Sequence, residues 1–218
     1  MTKKLFFISL CVLLNGFSFA QTKDFGIWSQ VSLEKKFTPR LSLGFTECVR
    51  LNENATQLNT HYSQLAVEYV ILKKLSTSFG YRNSQKFTFD EKINYRQRFQ
   101  LDFIYKFKIQ KLKIDLQERF QMQFQNIGRS ETGLIPEYYF RTRATLSYDL
   151  EKRITPYCSA EIFLNQNKYI DNLRFRVGFD YEFNKKNSAK IYYMLDQDVQ
   201  QKEPLGLYVL GFAYKYSF

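Results

Sequence analysis

The 218-residue sequence contains few of the residues that build metal centres, disulfide frameworks or tight turns. It has three cysteines, four prolines, nine glycines and a single histidine, His61. One histidine and scattered cysteines cannot supply the clustered ligands of a zinc site. No apolar run approaches the ~18 residues of a membrane-spanning helix. These shortages exclude a zinc protein, a disulfide scaffold and a helical membrane protein, and we expect no cofactor.

Aromatic and basic residues are abundant instead. Phenylalanine, tyrosine and tryptophan make up 18% of the chain, a share that excludes a disordered protein. The formal net charge of +11 raises the question of a nucleic-acid partner. The arginines and lysines alternate with apolar residues, however, and form no basic helix or continuous patch. We therefore predict no nucleic-acid partner.

The first twenty residues have the layout of a secretory signal peptide. Lys3 and Lys4 form a basic start, Leu5–Leu14 is apolar, and small residues lead to Ala20. We predict cleavage after Ala20, export of the chain, and a single mature domain over residues 21–218. Loss of the two leader lysines lowers the net charge from +11 to +9.

The cysteines support neither lipidation nor a disulfide. A lipoprotein needs a small residue before its lipidated cysteine, whereas Cys11 follows Leu10. Cys48 and Cys158 remain after cleavage, and an exported chain could pair them. The alternating pattern described next places them on opposite faces of their strands, which argues against a bridge.

Strict alternation of apolar and polar residues recurs along the whole mature chain and predicts β-strands. An apolar row runs from Ile93 to Phe107, and after a tight turn at Ile109–Gln110 a matching row runs from Leu112 to Phe124. Pairing Phe107 with Leu112 places both rows on one face. Similar segments cover residues 24–35, 41–51, 61–72, 74–83, 137–150, 154–165, 172–184, 187–197 and 205–218. Short and long connections alternate between them, as in an up-and-down meander.

The length of the segments indicates which face is buried. Several exceed the usual five or six residues of globular strands, and a tilted strand of ~9–11 residues crosses a bilayer. A soluble periplasmic ligand-binding barrel, the alternative, would crowd dozens of large side chains into one narrow interior. We therefore predict an all-β, closed, antiparallel transmembrane barrel of ten to twelve strands in the outer membrane. Its apolar row faces lipid and its polar row faces the lumen.

The C-terminal strand carries a second indication. Tyr214, Tyr216 and Phe218 alternate with small or polar residues, and Phe218 ends the chain. Such a strand is similar to the signal that the outer-membrane assembly machinery binds. We predict that machinery and outer-membrane lipid as partners, with the three rings in the inner-leaflet aromatic girdle.

Five short segments together resemble one family pattern. They are Phe25-Gly26-Ile27-Trp28, Pro136–Arg141, Pro156–Glu161, Leu173-Arg174-Phe175-Arg176 and Tyr214–Phe218. The pattern is similar to that of the domain of unknown function 2490 family, small outer-membrane proteins typical of Bacteroidota. The resemblance implies a fold and a location but no activity.

The polar row is rich in arginine and predicts an ion network in the lumen. Pairing residue 150 with 154 and residue 163 with 174 would set Glu161 opposite Arg143 and Arg176. The network either fills the lumen structurally or forms a narrow, anion-favouring constriction. The predicted members are Arg96, Arg98, Arg119, Arg141, Arg143, Glu161, Arg174 and Arg176. These readings predict a non-enzymatic structural or interaction protein, or a narrow channel.

One arrangement suggests an enzyme instead. His61 and Ser63 share a strand face, and a pairing of residues 49 and 63 would bring Glu47 beside them. A hydroxyl, an imidazole and a carboxylate together suit a serine lipid hydrolase. The His-Tyr-Ser spacing resembles the His-x-Ser of outer-membrane lipid A deacylases, but the glutamate expected downstream in that family is missing. We do not predict catalysis, and lipid hydrolysis is kept as an alternative.

Overall fold

The computed structural model describes residues 23–88, 92–125, 135–167, 169–199 and 206–218, and these form one closed β-barrel. The predicted signal peptide, residues 1–20, lies outside the described residues. The strands are β1 Lys23–Lys36, β2 Leu41–Asn52, β3 Gln57–Leu72, β4 Leu75–Phe87, β5 Ile93–Ile109, β6 Leu112–Gln125, β7 Glu137–Tyr148, β8 Ile154–Asn165, β9 Ile170–Glu182, β10 Asn187–Asp198 and β11 Gly206–Ser217.

Consecutive strands pair antiparallel, and the barrel closes through a parallel pair of β1 and β11. The number of strands falls within the predicted ten to twelve. Ten of the eleven strand pairs are antiparallel, and only the closing pair is parallel. Because an odd number of up-and-down strands makes the first and last run the same way, their closing pair must be parallel. The segment at residues 24–35 is thus a full strand of the barrel.

The apolar row faces outward along β5, as predicted. Leu101 and Phe103 are 37% and 48% exposed, whereas Gln100 and Asp102, which alternate with them, are each only 3% exposed. A soluble barrel would bury its apolar side chains and expose its polar ones, so the alternative of a soluble ligand-binding barrel is wrong. With its apolar side chains outward and its sheet closed, the protein has the construction of a transmembrane β-barrel. Within the described ranges, no helix is long and apolar enough to cross a bilayer.

The two ends of the barrel differ in their connections. We call the end with the connections 37–40, 73–74, 110–111, 149–153 and 183–186 the turn rim, and the opposite end the loop rim. Phe218 lies at the turn rim, where its backbone N–H donates to Glu34 O at 2.9 Å. Lys23 pairs with Gly206 at the loop rim. The first strand therefore begins at the loop rim and the last strand ends at the turn rim.

Three predicted registers are wrong by two residues. Ile109, rather than Phe107, pairs with Leu112, because the turn is formed by residues 110–111, with Gln110 at a φ of 52°. Across β2 and β3 the pair is Glu47 with Ser63, and across β8 and β9 it is Glu161 with Arg174. The predicted register of β7 and β8 is confirmed. A slip of two residues keeps every side chain on its predicted face, so the inside and outside assignments are unaffected.

Candidate functional site

The inward rows of the strands enclose a cavity of about 350 Å³ in the lumen, and arginine dominates its wall. Aromatic rings and hydroxyl groups complete the lining, and no aspartate or glutamate of the described residues takes part in it. The cationic side chains that line it are Arg50, Arg82, Lys86, Arg96, Arg98, Arg119, Arg141, Arg143, Arg174, Arg176 and Lys190. The lumen is thus a strongly basic compartment.

Glu161 is the centre of an ion network on one side of the lumen. Its side chain is 1% exposed and lies 2.7 Å from Arg141, 3.4 Å from Arg174 and 3.7 Å from Arg143. Arg176 lies 4.0 Å away. A carboxylate this deeply buried requires paired cations, and here arginines from two neighbouring strands surround it. One negative charge therefore holds four guanidinium groups in place.

Two further carboxylates pair with arginines of the lumen. Arg119 donates from Nε to Asp102 at 2.5 Å and from Nη2 at 2.8 Å, a bidentate geometry that fixes both side chains. Arg174 donates to Asp196 at 2.7 Å, which links the Glu161 network to β10. The arginines of β6 to β9 that line the cavity thus all have carboxylate partners.

The arginines on the opposite side of the lumen are held by neutral groups. Arg82 donates to the amide oxygen of Gln64 at 2.9 and 2.6 Å, and Arg98 donates to that of Gln123 at 3.1 and 2.5 Å. The Arg50 guanidinium lies 3.7 Å from the centre of the Trp28 ring. Amides and aromatic faces orient these cations without neutralising them.

Apolar packing narrows the lumen along β1, β10 and β11. Trp28, Met194 and Val209 form a buried cluster on this wall. Beside it, the Tyr192 ring lies over Gly211, so close that a Cβ atom on that glycine would be 2.0 Å from Tyr192 Cζ. Arg176 in turn lies 4.5 Å from the centre of the Tyr192 ring. The absence of a side chain at Gly211 therefore lets the Tyr192 ring lie against the backbone of β11, where the ring also contacts Arg176.

A second cavity of about 170 Å³ continues the lumen towards the turn rim. Arg143, Tyr157, Arg176 and Lys190 line both cavities and so separate them. The other residues that line the second cavity carry hydroxyl groups and two carboxylates, those of Asp115 and Asp180. The boundary between the two cavities is therefore formed by three cationic side chains and one tyrosine.

The turn rim carries ion pairs of its own. The carboxylate of Asp149 accepts from Lys108 at 2.9 Å and from the Glu151 N–H at 3.0 Å, and it lies 3.2 Å from Lys113. These contacts, with that of Lys108 first, lower the pKa of Asp149. Asp149 therefore stays ionised at any physiological pH.

The structure brings all eight predicted network residues to the lumen. The seven arginines line the cavity, and Glu161 lies behind them in the wall. Arg174 rather than Arg176 stands opposite Glu161 in the β8–β9 register, as described above. Sequence reasoning missed Arg50 and Arg82, although each occupies an inward position of the alternation in β2 and β4.

The residues of the hydrolase alternative lie on the outer face. His61 Nε2 is 3.0 Å from Glu47 Oε2, so the imidazole and the carboxylate do meet. Ser63 stands opposite Glu47 in the register, but among the described residues no hydrogen bond joins its hydroxyl to His61 or Glu47. The structure thus provides an imidazole–carboxylate pair without an activated nucleophile.

The cysteines and the C-terminal aromatic residues lie on the faces predicted for them. Cys48 is buried against the lumen, and Cys158 is exposed on the outer face. Outward Tyr216 and Phe218 stack with their ring centres 5.8 Å apart, and Tyr214 bonds to Asn187. Assembly through this strand stays a prediction. Over the described ranges, no group of histidine, cysteine and acidic residues could hold a metal ion.

Comparison with solved structures finds a similar fold in the KdgM porin. The KdgM porin in complex with disordered oligogalacturonate is 14% identical, with a TM-score of 0.53 over 89% of this chain and 98% of that chain. The NanC porin is 11% identical, with a TM-score of 0.47 over 79% and 85% of the two chains. The β domain of the Bordetella autotransporter BrkA is 12% identical, with a TM-score of 0.46 over 82% of each.

The sequence comparisons identify the family. No curated protein matches the chain. The family model described as "Protein of unknown function (DUF2490)" matches residues 25–203, which is most of the chain and confirms the resemblance noted in the sequence. The protein is a porin-like β-barrel, an architecture of the outer membrane, and it belongs to the DUF2490 family.

Proposed function

We propose that this barrel is a narrow, non-enzymatic channel of the outer membrane whose arginine-rich lumen favours anions. The observation that carries the proposal is the 350 Å³ cavity, whose lining among the described residues includes nine arginines and two lysines but no acidic side chain. Rings of cationic side chains set anion selectivity in pores. A barrel of the same fold, KdgM, is a porin.

The three carboxylates that pair with arginines of this cavity do not enter its lining, whereas Asp115 and Asp180 line the second cavity. Asp102, Glu161 and Asp196 are each engaged by arginine and sit in the wall rather than in the cavity lining. Each therefore orders arginines while leaving the surface that a solute meets positive. A solute anion gains from this field because the surrounding protein has a lower dielectric constant than water.

Arg143 and Arg176 are the residues at which to test selectivity. They border both cavities and are 30% and 18% exposed, so a passing ion meets their guanidinium groups directly. In planar lipid bilayers, the purified protein should show single-channel conductance with a preference for chloride over potassium. Arg143→Glu and Arg176→Glu should each reduce that preference.

A matched control separates the effect of charge in the lumen from the effect of the net charge of the protein. Lys152→Glu makes the same charge change at the turn rim, outside the cavity lining, and should leave selectivity near that of the unmodified protein. Heat-modifiable migration on a gel verifies that each variant is folded. Folded protein that gives a silent bilayer would overturn the channel proposal and favour a structural barrel.

A further inference from the structure

We propose that the lumen contains a binding site for a multivalent, phosphate-type oxyanion, formed by Arg50, Arg82 and Arg98. The inference deepens the proposed anion-favouring channel, on which it rests, by naming a ligand class and the residues that bind it. These three arginines come from β2, β4 and β5 and line the same cavity.

The first argument is that these cations lack counter-charges. Arg119, Arg141 and Arg174 each form an ion pair shorter than 3 Å, whereas within the described residues Arg50, Arg82 and Arg98 form none. Arg82 and Arg98 also stand directly opposite each other across β4 and β5. Like charges at opposed positions destabilise a sheet, and charges withdrawn from water require a partner. A bound anion would satisfy both requirements.

The second argument is that the guanidinium groups are held in place for a ligand. Gln64 accepts both the Nε–H and an Nη2–H of Arg82, and Gln123 accepts the same pair from Arg98, whose Nη1 also donates to Gln121 at 3.4 Å. The neutral amides fix one edge of each guanidinium and leave other N–H groups for a ligand. Such preorganisation lowers the entropic cost of binding.

The third argument concerns Arg50 and the rings around it. Tyr62 joins Arg50 to Arg82, because the two guanidinium groups lie 5.2 and 3.8 Å from the centre of its ring. Arg50 Nε and Trp28 Nε1 are buried donors without a hydrogen-bond partner. The Nε atoms of Arg96, Arg174 and Arg176 share this condition, and an oxyanion bound beside Arg50 would offer acceptors to the two donors on this side of the lumen.

The geometry favours a tetrahedral oxyanion over a single carboxylate. A carboxylate offers two oxygens in one plane and one negative charge, which suits one guanidinium fork. Three forks that line one cavity from three strands can together engage acceptor oxygens in several directions and more than one negative charge. A phosphate group offers both, and the cavity of about 350 Å³ admits a small phosphorylated compound.

Trp28 provides a direct measurement, since it is the only tryptophan in the chain and Arg50 lies 3.7 Å from its ring centre. We would titrate the folded barrel in detergent with sodium pyrophosphate at about 0.15 M sodium chloride, following Trp28 fluorescence and, independently, heat by calorimetry. We expect saturable binding. The double variant Arg82→Gln/Arg98→Gln should bind at least tenfold more weakly, and Arg50→Gln should weaken binding independently.

Lys106→Gln is the matched control. Lys106 lies on the same face of β5 as Arg98 but outside the cavity lining, about 26 Å away along the strand at ~3.3 Å per residue. That distance exceeds the ~8 Å screening length of the buffer, so its affinity should stay within twofold of the unmodified protein. Acetate, a single carboxylate offered at equal concentration, should bind more weakly than pyrophosphate.

The outcomes distinguish this site from the channel. Absence of saturable binding by both methods, or equal affinity in the double variant, overturns the site. Equal weakening in Lys106→Gln also overturns it, because the effect would then reflect overall charge. Detergent binding needs no ion passage, so a silent bilayer with intact pyrophosphate binding would reject only the channel.

Discussion

Removal of the Glu161 charge is the perturbation whose cost follows most directly from the structure. Glu161→Gln keeps the shape of the side chain but leaves the guanidinium groups of Arg141, Arg143 and Arg176 without a carboxylate, while Arg174 retains Asp196. Breaking a buried ion pair by changing one partner costs ~3–5 kcal/mol. Because Arg143 and Arg176 are partly exposed and can be rehydrated, we expect the lower end, about 3 kcal/mol.

The assay is equilibrium unfolding by urea in lipid vesicles, followed by Trp28 fluorescence. A loss of about 3 kcal/mol lowers the ratio of folded to unfolded protein roughly a hundredfold. Glu118→Gln is the matched control, because Glu118 is exposed on the outer face and bonds to Thr142. It should change the free energy of unfolding by about 0.5 kcal/mol or less. Equal stability of Glu161→Gln and the unmodified barrel would refute the view that this carboxylate holds the network.

Three other predictions concern the wall, the turn rim and the topology. Gly211→Ala should destabilise the barrel by ~1–3 kcal/mol in the same unfolding assay, because its Cβ would overlap Tyr192, whereas Gly44→Ala, with its nearest atom 3.8 Å away, should be tolerated. The lowered pKa of Asp149 means that its stabilising contacts are present above pH ~4 and are lost as the pH falls through that lowered pKa. Asp149→Asn should therefore reduce stability at pH 7, and a difference that persists unchanged at pH 2 would contradict this reasoning. An epitope inserted directly before β1 and one placed after Phe218 should be accessible from opposite sides of the membrane, and detection of both on one side of intact cells would contradict the parallel closure.

The alternating sequence pattern was sufficient to predict which residues face the lumen. Each apolar position of β5 and β6 in the pattern lies outside, and Arg96, Arg98 and Arg119 lie inside. The face on which a side chain lies depends only on whether its position in the strand is odd or even. The predicted faces are therefore correct even where the predicted register is wrong by two residues. Register itself depends on turn conformation, such as the positive φ of Gln110, which no alternation encodes.

Other features depend on contacts between distant strands and could not be read from the pattern. The parallel closing pair follows from the odd number of strands. The sequence pattern does not fix that number, because two strands can merge into one segment and a segment can be irregular. Arg50 and Arg82 are an exception, because alternation places both inward and the sequence reasoning passed over them. The guanidinium groups of Arg50 and Arg82 both lie over the Tyr62 ring. This contact joins residues from three strands, and only the closed barrel shows the contact.

The reversal potential across a planar bilayer holding the unmodified protein in a potassium chloride gradient tests most directly whether the lumen is an anion path. A lumen lined by Arg50, Arg82, Arg98 and their cationic neighbours predicts a potential whose sign corresponds to chloride permeation. A potential of the opposite sign, indicating potassium preference, would contradict the account of an arginine-lined channel.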